Sequence, residues 1–197
     1  MKNPALAALA LLLLAVTPTV EAQDGTAYYG ISFGEFDYSE SEAPFGTGFF
    51  EDSVTSWRLM IGYQFMEHLS VEGSYGQTDT IRDSVLFGPI PAFQDEIGFE
   101  TSLDQVLTIR LLGVLPFEDA GISLMGGLGY ADIEQEIELS VNGSLVGSLE
   151  VSGSNPAYYL GVQYDWDRVA VRLGYEKFDF DGDVDAEEVS LTFFYKI

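Results

Sequence analysis

Along Trp57-Arg58-Leu59-Met60-Ile61-Gly62-Tyr63-Gln64-Phe65 every odd position is large and apolar, while the even ones are charged, polar, small or Met. The same period of two runs through Tyr158–Trp166, where Tyr158, Leu160, Val162, Tyr164 and Trp166 alternate with Tyr159, Gly161, Gln163 and Asp165. It recurs in Val169–Tyr175 and in the last segment, Val189, Leu191, Phe193, Tyr195 and Ile197. Side chains on a strand point alternately to its two faces, so each segment reads as a half-buried β-strand. Strands are expected near residues 26–36, 54–65, 69–79, 101–115, 121–133, 156–166, 168–178 and 187–197. The connections at 66–68, 116–120 and 167 are short, whereas those at 37–53, 80–100, 134–155 and 179–186 are longer.

Alternation alone does not say which face is buried; the content of the faces does. The apolar faces are continuous, wide and ended by aromatics, whereas the opposite faces carry Gly, Ser, Gln and a few charges. Such small polar faces cannot form a hydrophobic core, so the apolar side is expected to meet lipid and the polar side a narrow lumen. Arg58, Glu72, Arg110, Arg172, Glu176 and Lys196 all fall on the non-apolar parity. On the lipid face an Arg or Lys would cost about 2–4 kcal/mol at mid-bilayer. The expected fold is all-β: an eight-stranded antiparallel transmembrane barrel of up-and-down topology. Tight turns on one side and long loops on the other place both termini with the tight turns, in the periplasm of a Gram-negative cell.

The start of the chain reads differently. Lys2 precedes Ala5–Val16, twelve apolar residues ended by Pro18. That is the size of a signal-peptide core and too short for a membrane helix of about 20 residues. Val20-Glu21-Ala22 offers small residues for cleavage before Gln23, giving a leader at 1–22 and a barrel domain at 23–197. The net charge of −24 leaves no basic face for nucleic acid. The absence of Cys excludes disulfides, thiolate metal sites and Cys nucleophiles.

Two stretches carry a family resemblance. Val106 to Asp132, with LLGVLPF-EDAGISLMGGLGYADIE, and Tyr158 to Ile197, with YLGVQYDW-RVAVRLGYEKFDFDGDVDAEEVSLTFFYKI, resemble the small eight-stranded OmpA-like barrels of the outer membrane. The chain departs from that family in ending on Ile197, where an aromatic is frequent, although Val189 to Tyr195 keep the pattern. The resemblance implies an outer-membrane location among lipid and lipopolysaccharide, engagement of the barrel-assembly machinery through the C-terminal strand, and a monomer.

Four groups of residues carry candidate chemistry. Arg58, Arg110, Arg172 and Lys196 can face Glu72, Asp104, Asp165 and Glu176 across the lumen, where isolated charges are costly and pairing is expected. Such a network would either gate a small pore or simply fill the barrel, whose eight-stranded interior is just wide enough for side chains. In Asp179, Asp181, Asp183 and Asp185 four carboxylates recur at spacing two, a set of hard oxygen ligands suited to weak Ca²⁺ binding or else a solvated acidic tip. No other cofactor is expected. Around Asn142-Gly143, a strong hairpin signal, Ile137–Val141 and Ser144–Val151 should form a projecting ribbon. Its edge could add a partner's strand or only shield the barrel mouth. His68 is the sole His and lies in a tight turn beside Glu67, which leaves catalysis without an oriented nucleophile. The expected role is therefore structural or adhesive, through acidic outer loops. The alternatives are a narrow cation-preferring pore and, more remotely, a lipid A-modifying enzyme.

Overall fold

The computed structural model describes residues 25–40, 50–87, 95–117, 120–179 and 184–197. The expected leader at 1–22 lies outside them. The described residues form strands and turns, with no helix. The strands are β1 (Thr26–Glu40), β2 (Phe50–Met66), β3 (Leu69–Thr78), β4 (Ile81–Phe87), β5 (Asp95–Phe117), β6 (Ile122–Val141), β7 (Ser144–Trp166), β8 (Val169–Asp179) and β9 (Val184–Lys196). Their order is β3-β2-β1-β9-β8-β7-β6-β5-β4, and a further β3–β5 pairing closes the sheet. Eight antiparallel strands thus make the ring, and β4 continues the line of β3 along β5 after a break at Asp79 and Thr80.

The alternation read from the sequence sets the faces. Leu59, Ile61, Leu111, Leu124, Leu160, Val162, Leu173, Leu191 and Phe193 are exposed, whereas Arg58, Met60, Tyr159, Arg172 and Thr192 are buried. The exposed belt is edged by Tyr29, Tyr195, Tyr164 and Trp166 at the turn end and by Phe33, Trp57, Tyr130 and Tyr158 at the other. From Tyr158 to Trp166 a strand rising ~3.3 Å per residue at a tilt of about 40° covers roughly 20–25 Å, close to the height of a lipid-facing band. Apolar residues outside and polar ones inside reverse the arrangement of a water-soluble barrel, as expected for a lipid surround.

Inward glycines make room for inward rings. A Cβ at Gly62 would run into the Tyr28 ring, and one at Gly174 into that of Tyr159. Three apolar clusters pack inside the barrel. Phe36, Leu103, Val106, Ala131, Ile133, Ala157, Phe178 and Ala186 fill the end away from the turns. Tyr28, Met60, Ala170 and Phe194 group nearer the turns, and Leu112, Met125 and Tyr159 form the third.

Beyond the belt the strands do not stop together. β5 and β6 stay paired out to Ile97 and Val141, and β6 and β7 out to Val141 and Ser144. The turn between them holds Asn142 at φ 51° and Gly143 at φ 76°, the left-handed geometry of the hairpin turn that Asn-Gly favours. β4 adds its own ladder to β5, from Ile81 against Thr101 to Phe87 against Asp95. The expected ribbon is thus part of a four-stranded sheet rising from one side of the barrel. The segment 80–100, read from sequence as a loop, contributes β4 and the start of β5 to it.

Candidate functional site: the ion-paired lumen and the projecting sheet

Three arginines and three glutamates are buried together in the middle of the barrel. Arg58 on β2 pairs with Glu188 on β9 and, through Nη1 at 2.6 Å, with Glu176 on β8. Glu176 also takes Arg110 Nη1 from β5 at 3.1 Å. Arg110 holds Glu72 on β3 through Nη2 at 2.8 Å, and Arg172 Nη1 reaches the other oxygen of Glu72 at 2.6 Å. Arg172 then donates from Nε and Nη2 to Gln163 Oε1 at 3.0 and 2.8 Å. Gln163 donates to Asp165 at 2.9 Å, and Asp165 pairs with Lys196 at 2.5 Å. Acid and base alternate from Glu188 to Arg172, Gln163 then links Arg172 to the Asp165–Lys196 pair, and the three buried arginines balance the three buried glutamates.

The same groups are held by uncharged neighbours. Tyr28 donates its hydroxyl to Glu72 at 2.7 Å, and Ser56 donates to Glu188. The Arg110 guanidinium lies 4.0 Å from the Tyr159 ring centroid, and that of Arg172 lies 4.3 Å from Phe194. Cations placed over aromatic faces are stabilised by the ring quadrupole, most strongly where water is excluded. The turn end of the lumen opens into a cavity of about 220 Å³ with Thr26, Gln64, Gln163, Asp165, Arg172 and Lys196 among its lining residues. At the opposite end the Phe36–Phe178 cluster lies across the bore.

Of the residues read as lumen charges, Arg58, Glu72, Arg110, Asp165, Arg172, Glu176 and Lys196 are brought into this one chain. Asp104 is not. A bulge between Leu103 and Gln105 in β5 inserts one residue against β6, which reverses the parity of the strand beyond it. Leu103 and Gln105 are buried, and Asp104 turns outward to accept a hydrogen bond from Ser102 at 2.7 Å. Glu188 falls within the expected last strand, 187–197, but is absent from the lumen charges read from the sequence. Its even number continues Ser190, Thr192 and Phe194, and that signal assigns it to the lumen.

The other candidates are placed as follows. Asp179 and Asp185 are cross-strand partners at the far end of the β8–β9 hairpin, while Asp181 and Asp183 lie outside the described residues. Among the described residues no three His, Asp or Glu side chains converge as metal ligands. His68 is exposed at the turn end, with Nδ1 3.2 Å from the Val114 carbonyl and Nε2 3.9 Å from Glu67.

The projecting sheet has two unlike faces. Continuing the inward parity of Ala131 and Ile133, one face presents Ile137 and Leu139 from β6 and Leu149 and Val151 from β7. The other presents Glu134, Glu136, Glu138 and Glu150, with Glu136 directly opposite Glu150. Partial loss of hydration and then the charges of Asp104, Glu138 and Glu150 raise the Glu136 carboxyl above its ordinary pKa. β7 pairs with β8 only from Ala157, against Phe178, to Trp166. From Ser144 to Asn155 its other edge pairs with no strand among the described residues.

Comparison with known proteins agrees with this architecture. Ail, the attachment invasion locus protein of Yersinia pestis, crystallised with the heparin analogue sucrose octasulfate, is 20% identical; the match covers 87% of this chain and 99% of Ail, with a TM-score of 0.54. Neisserial surface protein A is 14% identical over 88% of this chain and 100% of its own, with a TM-score of 0.59. The N-terminal barrel of Pseudomonas aeruginosa OprF is 9% identical over 90% and 100%, with a TM-score of 0.57. At these identities the likeness is one of fold. A search of curated proteins finds no match to the chain. The outer membrane protein beta-barrel domain matches residues 6–196, nearly the whole chain, and the chain belongs to that family of outer-membrane barrels.

Proposed function

We propose that this protein acts at the cell surface as a binding or adhesion barrel, through the projecting sheet and its acidic outer segments, and neither conducts solutes nor catalyses a reaction. The observation that carries this reading is the contrast between a filled lumen and an extended sheet. The Glu188-to-Lys196 chain sets paired charges across the middle of the lumen, and the buried Phe36–Phe178 cluster packs beyond it, which supports a plug over a pore. β5, β6 and β7 meanwhile run well past the belt. In this reading the tight turns and both termini face the periplasm, the leader at 1–22 is removed on export, β9 engages the assembly machinery, and the monomer sits among lipopolysaccharide.

Ail was crystallised with a sulfated sugar, a polyanion. Such a ligand does not suit a sheet that presents Glu134, Glu136, Glu138 and Glu150. Whatever binds here is expected to be neutral or cationic. Two measurements test the reading. Purified protein in planar bilayers should give no stepwise conductance; cation-selective steps would restore the pore. Cells displaying the intact protein should adhere to a host-cell or matrix surface, and deletion of Glu134–Ser152, rejoined by an Asn-Gly turn, should remove that adhesion. Retained adhesion would overturn the assignment to the sheet.

A further inference from the structure

We propose that the outer edge of β7, from Ser144 to Asn155, is a docking edge for a cationic β-strand in which Lys or Arg alternates with apolar residues. This rests on the reading of the projecting sheet as the interacting part. Natural edge strands are usually blunted by Lys, Pro or a covering element. Between Ser144 and Asn155 there is no Lys, Arg or Pro, and among the described residues no element covers Ser144 to Ser154, which are exposed throughout; a single bulge, at Val146, interrupts the ladder with β6. Pro156 stands where the free stretch ends and the pairing with β8 is about to begin.

The two faces specify what an added strand should carry. On one, Leu149 and Val151 are about half exposed or more, with Ile137 opposite Leu149 on the next strand. An incoming strand would place its apolar residues beside them. On the other, β7 carries Ser148, Glu150 and Ser152, opposite Glu138, Glu136 and Glu134 on β6. Like charges directly across a ladder destabilise it, and Glu136 against Glu150 is such a pair. The short Ser side chains beside Glu150 leave room for a long cationic side chain from a third strand to reach diagonally over β7 to Glu136 and Glu138. Main-chain hydrogen bonds would supply attachment and the alternation of side chains its specificity. The chain itself cannot supply this strand from β6 or β7, which hold no Lys or Arg.

The test uses the refolded full barrel in detergent and labelled synthetic peptides read by fluorescence anisotropy. The principal probe alternates Lys with Val. Three companions alternate Glu with Val, gather the same Lys and Val into separate blocks, or repeat the Lys-Val peptide with its backbone N-methylated along one edge. The Lys-Val peptide should bind, and each companion should bind about tenfold more weakly or not at all. The E136Q/E138Q/E150Q variant should also lose about tenfold, the product of three exposed ion pairs of ordinary strength. Equal binding of the Glu peptide would overturn the charge assignment. Undiminished binding of the N-methylated or block peptide would reduce the effect to bulk attraction and overturn the edge. If the triple variant does not fold, as judged by heat-modifiable migration on gels, the comparison among peptides on the native barrel still decides. Absence of peptide binding together with adhesion that depends on Glu134–Ser152 would overturn this inference alone, whereas adhesion that survives the deletion overturns the broader reading.

Discussion

Glu72 and Arg110 stand directly opposite each other in the β3–β5 ladder, the pairing that closes the ring. Arg110 grips one oxygen of Glu72 from Nε at 2.9 Å and from Nη2 at 2.8 Å, leaving the other for Tyr28 and Arg172. Three groups on three other strands thus converge on one carboxylate of β3. A charge in this position has no water to fall back on, so the pair joins closure of the sheet to neutrality of the lumen.

Removing one partner should therefore be costly and removing both less so. Glu72→Leu or Arg110→Leu alone unbalances the buried charges and should lower stability by about 3–5 kcal/mol. The double variant leaves Arg58 and Arg172 against Glu176 and Glu188, neutral again, and should lose clearly less than the two single losses added. Urea unfolding of the refolded barrel in lipid vesicles measures all three. Strict additivity would mean that the residues act independently despite their contact.

The assignment of faces can be checked by chemistry, because the native chain has no Cys. Single Cys at Leu59, Val162, Leu173 or Phe193, all exposed in the belt, should react with lipid-soluble maleimides in membranes. Those at Met60, Gln163 or Thr192, turned to the interior, should react slowly or not at all. The reverse pattern would require a shift of one residue in register, which moves every side chain to the other face.

A methyl group tests the packing of the lumen. Gly174→Ala would drive its Cβ into the Tyr159 ring, which itself lies under the Arg110 guanidinium. Overpacking of this kind typically costs about 1–3 kcal/mol. Gly147→Ala on the projecting sheet meets nothing within 4 Å and should stay within about 0.5 kcal/mol of the native protein. Equal effects at the two sites, read by thermal unfolding in detergent, would show that the ring does not occupy that space.

The barrel was legible in the sequence because lipid and lumen demand opposite chemistry at alternate positions. Trp57 to Phe65 and Tyr158 to Trp166 state that demand residue by residue, and Arg58 and Arg172 betray the inner face. Legibility fails where the period breaks. Asp104 sits in the bulge of β5, and no local residue type announces that parity reverses there. β4 reads Ile-Arg-Asp-Ser-Val-Leu-Phe, an uneven run that becomes a strand by pairing with β5 and not by its own pattern. Glu188 lies in the expected last strand, but its neighbours Asp185 and Glu187 make it read as part of an acidic stretch and not as a lumen charge. The network itself, which joins strands as far apart in sequence as β2 and β9, is a property of closure that no single segment contains.

The projecting sheet should respond to pH with a sign fixed by Glu136. Its carboxyl is raised in the folded state by partial desolvation and by Asp104, Glu138 and Glu150, so the folded sheet holds this proton more tightly than the unfolded chain does. A raised carboxyl penalises the fold at pH above the folded value, and the penalty is relieved as pH falls through it. Hydrogen exchange of the β6–β7 amides beyond Ile133 and Gly153 should therefore slow, relative to the intrinsic rate, between neutral pH and the acid side of the carboxylate range. Glu136→Gln removes both the proton and the repulsion from Glu150 opposite, so it should slow exchange at neutral pH and flatten the pH response of that segment. The amides of β8, paired within the barrel, serve as the internal reference. A segment that exchanges faster as pH falls, or a Gln variant with the native pH response, would show that repulsion across the β6–β7 ladder does not govern the stability of the sheet.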